Sequence, residues 1–167
     1  LATLPLAFSV ALHRALGTWT RQVDAFIALS DFQRQLMAQS GLPAARVYVK
    51  PNFYPGHPQP VPWPDRQDYA VFAGRLTAEK GVETLIRAWT RWGRSAPELR
   101  ILGDGPLRAA LERLAAAAPT ALIRFLGQVS AQEAERHIAS GKLLVLPSVC
   151  FETFGMVVLE AFAFGTP

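Results

Sequence analysis

The chain has 167 residues, of which 50% are hydrophobic and 18% are charged, and its formal net charge is +4. This composition can build a hydrophobic core, so an intrinsically disordered protein is excluded. No run of Lys and Arg marks a nucleic-acid-binding face, and we expect no nucleic-acid partner. The mild basic excess suits phosphate-bearing ligands or an anionic membrane surface.

Cysteine and histidine are scarce. Cys150 is the one cysteine of the sequence, so an internal disulfide and a multi-cysteine metal site are both excluded. This favours a reducing compartment, and we expect a cytoplasmic protein. The histidines are far apart in sequence and form no metal-binding signature, so we expect no metal ion; they are His13, His57 and His137.

The first twelve residues, Leu1 to Leu12, are apolar but too short to span a bilayer. We expect this segment to pack on its own domain, and a peripheral role at the inner face of a membrane remains the alternative. The chain starts without methionine and ends at Gly165-Thr166-Pro167, directly after an apolar stretch. We therefore interpret it as an excerpt of a longer protein.

Four elements are predicted before the first proline-rich segment. Ser30 and Gln33 form a capping box that predicts a helix start, and Gly41 predicts its end. The predicted elements are a helix over Leu6 to Thr20, a strand over Ala25 to Leu29, a helix over Asp31 to Gln39 and a strand over Arg46 to Lys50.

Six prolines fall between Pro51 and Pro64. Proline removes a backbone donor and fixes φ, so this segment is predicted to be neither a helix nor a central strand. Because long structureless loops are uncommon inside compact domains, an interdomain linker is favoured over a surface loop. We predict a first domain over 1–50, a linker over 51–68 and a second domain over 69–167 that is incomplete at its C-terminus.

After the linker, strands and helices alternate. This alternation predicts an α/β fold with a Rossmann-like parallel sheet and helices on both faces. In such sheets ligands bind at the carboxyl ends of the strands. The predicted strands are Tyr69 to Ala73, Leu99 to Leu102, Ile123 to Leu126 and Leu143 to Leu146, and the predicted helices are Gly81 to Trp92, Pro106 to Ala117, Ala131 to Ser140 and Gly155 to Phe164.

The first candidate site lies in the loop after the first of these strands. Gly74 lets a ligand approach the backbone closely, and Arg75 and Lys80 bracket the loop. Two cations aimed at one point could hold a diphosphate and stabilise its charge as it leaves. A solvated turn with surface charges explains the segment equally well. Neither a Walker loop nor a dinucleotide fingerprint is present, which disfavours a dehydrogenase.

The second candidate site is a pair of carboxylates, Glu152 and Glu160. From Met156 to Phe164 the one polar side chain is Glu160, and a helix that is apolar all round is expected to be buried. A buried carboxylate needs donors, which sugar hydroxyls or a buried arginine could supply. Free N–H groups near Gly155 and Met156 form a natural phosphate site. For Glu152, an exposed acid near a helix N-terminus is the alternative.

Four motifs follow one another after the predicted linker: Gly74-Arg75-Leu76 with Lys80-Gly81, Leu102-Gly103-Asp104-Gly105-Pro106, Phe125-Leu126-Gly127, and Glu152 with Glu160. In combination, these motifs resemble the retaining GT-B glycosyltransferases of family four. The resemblance covers the chain from Val47 to its end, and the first fifty residues less clearly. It implies the C-terminal donor-binding domain of a GT-B fold, truncated, with a remnant of the N-terminal domain.

The resemblance also implies roles for individual residues. The donor diphosphate would be bound by Arg75 and Lys80, and the ribose hydroxyls by Glu160. Glu152 would contact the transferred sugar near its reacting carbon, and these three roles make Glu152, Arg75 and Lys80 the expected catalytic residues. The remaining expected substrate-binding residues are Gly74 in the loop, Gly127, Gln128 and Val129 against the base, and the backbone of Phe154, Gly155, Met156 and Val157.

The implied function is transfer of a hexose from a UDP- or GDP-sugar to a carbohydrate or lipid acceptor, with no metal or other cofactor. The family's N-terminal domain supplies acceptor contacts and a histidine, and none of the three histidines here matches that position. We therefore expect the 167-residue chain not to catalyse transfer alone. A sugar-nucleotide epimerase, a phosphorylase of the same fold and a non-catalytic nucleotide-sugar-binding domain remain alternatives.

Overall fold

The computed structural model describes residues 4–117, 120–150, 152 and 154–167. Residues 1–3 of the apolar N-terminal segment lie outside that part of the chain. The chain divides into two compact units, Leu1–Asn52 and Phe53–Pro167. The proline-rich segment from Phe53 onward is therefore part of the second unit.

The first unit holds two strands, three α-helices and a short 3₁₀ helix over Ala44–Arg46 among its described residues. β1 (Phe26–Ala28) and β2 (Val47–Val49) pair in parallel. The Ser30 hydroxyl accepts a hydrogen bond from the Gln33 amide at 3.2 Å, so α3 begins where its capping residue predicts. The predicted helix over Leu6 to Thr20 is divided at Gly17, whose φ of 67° is left-handed. The helices are α1 (Leu4–Ala15), α2 (Thr18–Arg21) and α3 (Asp31–Gln39).

The expectation that the N-terminal apolar helix packs on its own domain is wrong for the described residues. No residue of α1 is buried, and the side chains of Leu6 and Phe8 are 66% and 71% exposed. No helix among the described residues is both long enough and apolar enough to cross a membrane.

The second unit is a four-stranded parallel sheet with helices on both faces. The strand order is β5-β4-β3-β6, and all three neighbouring pairs are parallel. β6 begins directly after α6, two residues earlier than the predicted Leu143. The elements are β3 (Gln67–Ala73), α4 (Val82–Trp92), β4 (Glu98–Leu102), α5 (Arg108–Ala116), β5 (Ile123–Gly127), α6 (Ala131–Ser140), β6 (Gly141–Leu144) and α7 (Met156–Ala163).

Each face of this sheet has its own hydrophobic cluster. Along β3, Ala70 and Phe72 pack with residues of α4 and α5, whereas Tyr69 and Val71 pack with residues of α6 and α7. Side chains alternate between the faces of a strand, so both sets are buried because both faces are covered. The predicted α/β architecture is confirmed, and the carboxyl ends of β3, β4 and β5 meet at one edge of the sheet.

Candidate functional site

Glycines bring the three loops at this edge into close contact. The Gly74 amide donates to the Leu102 carbonyl at 3.0 Å, and the Gly103 amide donates to the Gly127 carbonyl at 2.7 Å. Gly103 has a φ of 127°, and a Cβ atom there would collide with the Gly74 carbonyl oxygen. A side chain at this position would therefore force the loops apart.

A cavity of about 450 Å³ opens above these loops. Four of the predicted substrate-binding residues line it together, namely Gly74, Arg75, Gln128 and Val129. Gly127 adjoins it as the last residue of β5 and is buried. The cavity is therefore where a parallel sheet is expected to bind a ligand. Its lining is completed by Ala73, Leu102, Gly103, Asp104 and Ala134.

Two charged side chains line this cavity, Arg75 and Asp104. The Asp104 carboxylate accepts hydrogen bonds from the Gly105 amide at 2.7 Å and from Arg108 at 2.9 Å. These two bonds, the Gly105 bond first, lower the pKa of Asp104, and the same Arg108 guanidinium also pairs with Glu112 at 2.8 Å. Arg75 is exposed, and no ion pair or hydrogen bond holds its side chain among the described residues. It is available to an anionic ligand.

Lys80 and Glu152, predicted from separate motifs, meet directly. Lys80 Nζ donates to Glu152 Oε1 at 2.5 Å, and Ser148 Oγ donates to the same oxygen at 2.6 Å. The hydrogen bond from Lys80, followed by that from Ser148, lowers the pKa of Glu152. The Glu152 carboxylate is therefore held in its ionised form beside a cation.

One loop links the Lys80–Glu152 ion pair to the cavity. It leaves β3 at Gly74, passes through a 3₁₀ turn over Ala78–Lys80 and enters α4 after Gly81. The Glu79 carbonyl accepts a hydrogen bond from the Val149 amide at 2.9 Å. A Cβ atom on Gly81 would collide with the Pro147 carbonyl oxygen. Of the two cations predicted to bracket this loop, Arg75 therefore lies at the cavity and Lys80 lies at the Glu152 carboxylate.

Helix α7 carries the second predicted carboxylate. The Glu160 side chain is half-buried, and no hydrogen bond or ion pair reaches its carboxylate among the described residues. Burial first, and then the neighbouring charge of Glu135 on α6, raise the pKa of Glu160. A salt bridge with a buried arginine is not formed here, since buried Arg66 donates to Ala139, Gly141, Phe164 and Thr166 instead.

The expectation that α7 is buried all round is wrong. Val157 and Ala161 pack against the sheet because residues four apart share one face of a helix. Met156 and Phe162 are 40% and 67% exposed. Gly155, with a φ of 71°, caps the helix without a side-chain hydrogen bond. Phe154, Gly155, Met156, Val157 and Glu160 do not line the cavity.

Two features of the second unit were not predicted from the sequence. Ser148 precedes Glu152 by four residues in an irregular loop, and no periodic pattern or cap marks it. Arg66 stands next to the proline-rich segment, where an exposed cation is the ordinary expectation. Among the described residues, no three His, Cys, Asp or Glu side chains form a group that could hold a metal ion.

Curated glycosyltransferases are similar to this chain in sequence. An uncharacterized glycosyltransferase of Methanocaldococcus jannaschii is 40% identical over 105 residues, which are 62% of this chain and 27% of that protein. A GDP-mannose-dependent phosphatidylinositol dimannoside mannosyltransferase of Mycobacterium tuberculosis is 38% identical over 58% of this chain and 25% of its own length. The chain thus spans about a quarter of the length of these curated relatives.

Solved structures match at the level of the fold. The lipopolysaccharide outer core galactosyltransferase WaaB is 25% identical with a TM-score of 0.65, over 87% of this chain and 42% of that one. HepE of Anabaena, solved with UDP and glucose, is 21% identical with a TM-score of 0.77, over 93% of this chain and 46% of that one. These matches confirm the predicted GT-B fold.

A match to a family model shows which protein family the chain belongs to. The model described as glycosyl transferases group 1 matches residues 67–167, which contain both candidate sites. The matched segment is more than half of the chain. The protein therefore belongs to the glycosyl transferases group 1 family.

Proposed function

We propose that the protein is a retaining glycosyltransferase of glycan biosynthesis, which moves a hexose from a UDP- or GDP-sugar to a carbohydrate or lipid acceptor. One observation carries the proposal: a single loop places the unpaired Arg75 at a cavity and Lys80 on the carboxylate of Glu152. The relative that is named for its dependence on GDP-mannose supports a nucleotide-sugar donor.

The two cations would bind the donor diphosphate. Arg75 offers a planar guanidinium fork that matches phosphate oxygens, and the Lys80 ammonium has further N–H donors besides the one given to Glu152. Charge builds up on the diphosphate as the bond to the sugar breaks, and the two cations stabilise that charge. We propose that they make a divalent metal unnecessary.

The acidic residues and the neighbouring backbone would bind the rest of the donor. Glu152 would accept a hydrogen bond from the sugar near its reacting carbon, and Glu160 would accept from the ribose hydroxyls. The base would lie against Gly127–Val129, and backbone amides of residues 154–157 would contact phosphate and sugar. The unpaired state of the Glu160 carboxylate supports its role, because buried acids otherwise find donors within the protein.

The domain organisation is part of the proposal. Residues 69–167 would bind the donor, residues 51–68 would connect two domains, and residues 1–50 would belong to the acceptor-side domain. The 167-residue chain would then lack acceptor contacts and would not transfer sugar alone. Turnover by the purified chain, measured as release of nucleoside diphosphate in the presence of acceptor, would contradict this part.

Calorimetry on the full-length protein tests the donor site. Lys80→Ala should weaken binding of UDP or GDP about 10-fold or more, because a charge-assisted hydrogen bond to phosphate is lost. Lys142→Ala is the matched control, since Lys142 also forms an ion pair, with Asp68 at 2.9 Å, but lies at the amino-terminal end of β6. Equal affinities of the Lys80 variant and the wild type would refute the proposal.

Product analysis tests the reaction class. Incubation with donor and acceptor should give a glycoside with the anomeric configuration of the donor, as read by proton NMR, and a chelator should not change the rate. An isomerised donor without acceptor would indicate an epimerase, and a sugar phosphate formed from inorganic phosphate would indicate a phosphorylase.

We also propose a cytoplasmic, membrane-peripheral placement. The exposed leucines and phenylalanine of α1 support it, because an apolar helix face beside Arg14 suits an anionic lipid surface. Flotation of the full-length protein with phosphatidylglycerol vesicles, but not with phosphatidylcholine vesicles, is expected. Leu6→Asp with Phe8→Asp should abolish flotation and leave nucleotide affinity unchanged, and flotation by that variant would contradict the placement.

A further inference from the structure

The Glu152 carboxylate is held by one of its two oxygens. Lys80 Nζ and Ser148 Oγ both donate to Oε1, at 2.5 Å and 2.6 Å. Among the described residues, no hydrogen bond reaches Oε2. A carboxylate oxygen has about two lone-pair sites, so Oε1 is fully engaged and Oε2 is left for another donor.

Ser148 is fixed in place by the residues on either side of it. The Val149 amide donates to the Glu79 carbonyl at 2.9 Å, and the Pro147 carbonyl lies against Gly81 too closely for a Cβ atom there. Both anchors belong to the turn that carries Lys80. The serine hydroxyl and the lysine ammonium are therefore held to the same short segment, with Glu152 between them.

Two donors together restrict the carboxylate more than one donor does. The Lys80 ammonium ends a flexible four-carbon side chain and could follow Glu152 through several rotamers. The Ser148 hydroxyl sits on a one-carbon side chain, so its bond at 2.6 Å fixes where Oε1 lies. Two donors on Oε1 restrict rotation of the carboxylate, and this restriction narrows the directions in which Oε2 can point.

We propose that Ser148 is a positioning residue for sugar transfer, which holds Glu152 so that Oε2 accepts a hydrogen bond from a hydroxyl of the donor hexose. This inference rests on the proposed function, because Glu152 needs a sugar to position. It adds a residue to the site and assigns different tasks to the two oxygens of one carboxylate. Lys80 interacts with both the carboxylate and the donor, since its ammonium bonds Oε1 and faces the departing diphosphate.

The variants Ser148→Ala and Ser148→Thr in the full-length protein test the proposal. Ser148→Ala should lower kcat about 10-fold and change the donor KM less than about twofold, because the hydrogen bond to the charged group acts in the reacting complex. Ser148→Thr keeps the hydroxyl and should recover most of the rate. Ser95→Ala, which removes an exposed serine hydroxyl bonded to the Trp92 carbonyl, should behave as the wild type.

The pH profile separates positioning from a merely structural role. Lys80 is the charged group that acts on Glu152 among the described residues, and Ser148 is its second donor. Loss of Ser148 should raise the pKa of Glu152 toward its ordinary value, so the acid limb of kcat moves to higher pH. An unchanged acid limb, or equal losses of kcat in the alanine and threonine variants, would overturn the proposal.

A carbon-13 NMR titration of the Glu152 carboxyl gives a readout besides activity. Ser148→Ala should raise the pKa of Glu152 relative to the wild type, and Ser148→Thr should not. If the wild-type protein turns over no sugar nucleotide, the proposed function fails, while the titration still decides whether Ser148 holds Glu152. An unchanged pKa in the alanine variant would overturn the positioning role whatever the activity.

Discussion

Two of the charged residues at the candidate site, Lys80 and Asp104, form ion pairs within the protein, and in the part of the chain that the structure describes Arg75 does not. Lys80 is bonded to Glu152 and Asp104 to Arg108, whereas no ion pair or hydrogen bond holds Arg75 among the described residues. A phosphate group entering the cavity would meet Arg75 without first breaking an ion pair. Lys80, by contrast, can reach phosphate while its bond to Glu152 persists, because an ammonium has three donors.

At the residue scale, Glu160 offers a test in which stability and binding move in opposite directions. Its pKa is raised by burial and by Glu135, so the folded state holds the carboxylate proton more tightly than the unfolded state does. Stability is therefore lost as the pH rises through the raised pKa. Glu160→Gln removes this loss, so its Tm should exceed that of the wild type at about pH 7 and match it at about pH 4.

The same variant should bind UDP or GDP more weakly if Glu160 accepts hydrogen bonds from the ribose. Thermal unfolding at the two pH values and calorimetry at neutral pH give both quantities. Glu83→Gln is the control, because Glu83 is exposed on α4 and pairs with Arg87 at 2.8 Å. A Tm for Glu160→Gln below that of the wild type at neutral pH would mean that the carboxylate stabilises the fold.

At the scale of elements, the buried Arg66 side chain forms hydrogen bonds at the ends of α6 and α7 and at the start of β6. Arg66 Nη1 donates to the carbonyls of Ala139 and Gly141 and to the Thr166 hydroxyl, and Nη2 donates to the Phe164 carbonyl at 2.8 Å. These carbonyls lie at the C-terminal ends of α6 and α7, where a cation also interacts favourably with the helix dipole. The guanidinium thereby fixes the C-terminal end of the helix that carries Glu160.

We expect Arg66→Met to lower the free energy of unfolding by about 3 kcal/mol or more, because several buried carbonyls lose a charged donor at once. Arg87→Met is the control, and its exposed pair with Glu83 is worth about 0.5 kcal/mol or less. Urea unfolding of the full-length protein measures both. A loss for Arg66→Met no larger than that of the control would show that water replaces the guanidinium at little cost.

The elements also show what could be predicted from the sequence. Helix α3 has its predicted bounds, and α4 differs from the prediction by one residue, because caps and apolar periodicity act within a few residues. The bonds of Arg66 reach across 73 to 100 residues, so no local pattern marks them. Ser148 bonds Glu152 only four residues away, but it lies in an irregular loop without a cap or periodic pattern, so this contact could not be predicted either.

At the scale of the whole molecule, binding of the donor nucleotide should raise the stability of the folded protein. A ligand that binds the folded state alone stabilises it by about 2.7 kcal/mol when its concentration is 100 times its Kd. UDP or GDP should therefore raise the Tm of the full-length protein by several degrees. Because the proposed site holds diphosphate with Arg75 and Lys80 rather than with a metal ion, the rise should be the same with a chelator as without one.

Variants of single residues can be compared by how much the nucleotide raises their Tm. Arg75→Ala should reduce the rise while leaving the Tm without nucleotide unchanged, because an exposed side chain without a partner contributes little to folding. Arg87→Ala, on the exposed face of α4, should retain the full rise. The rise in Tm of the wild-type protein could instead disappear when a chelator is added. A metal ion would then balance part of the diphosphate charge, and Arg75 and Lys80 alone would not account for donor binding.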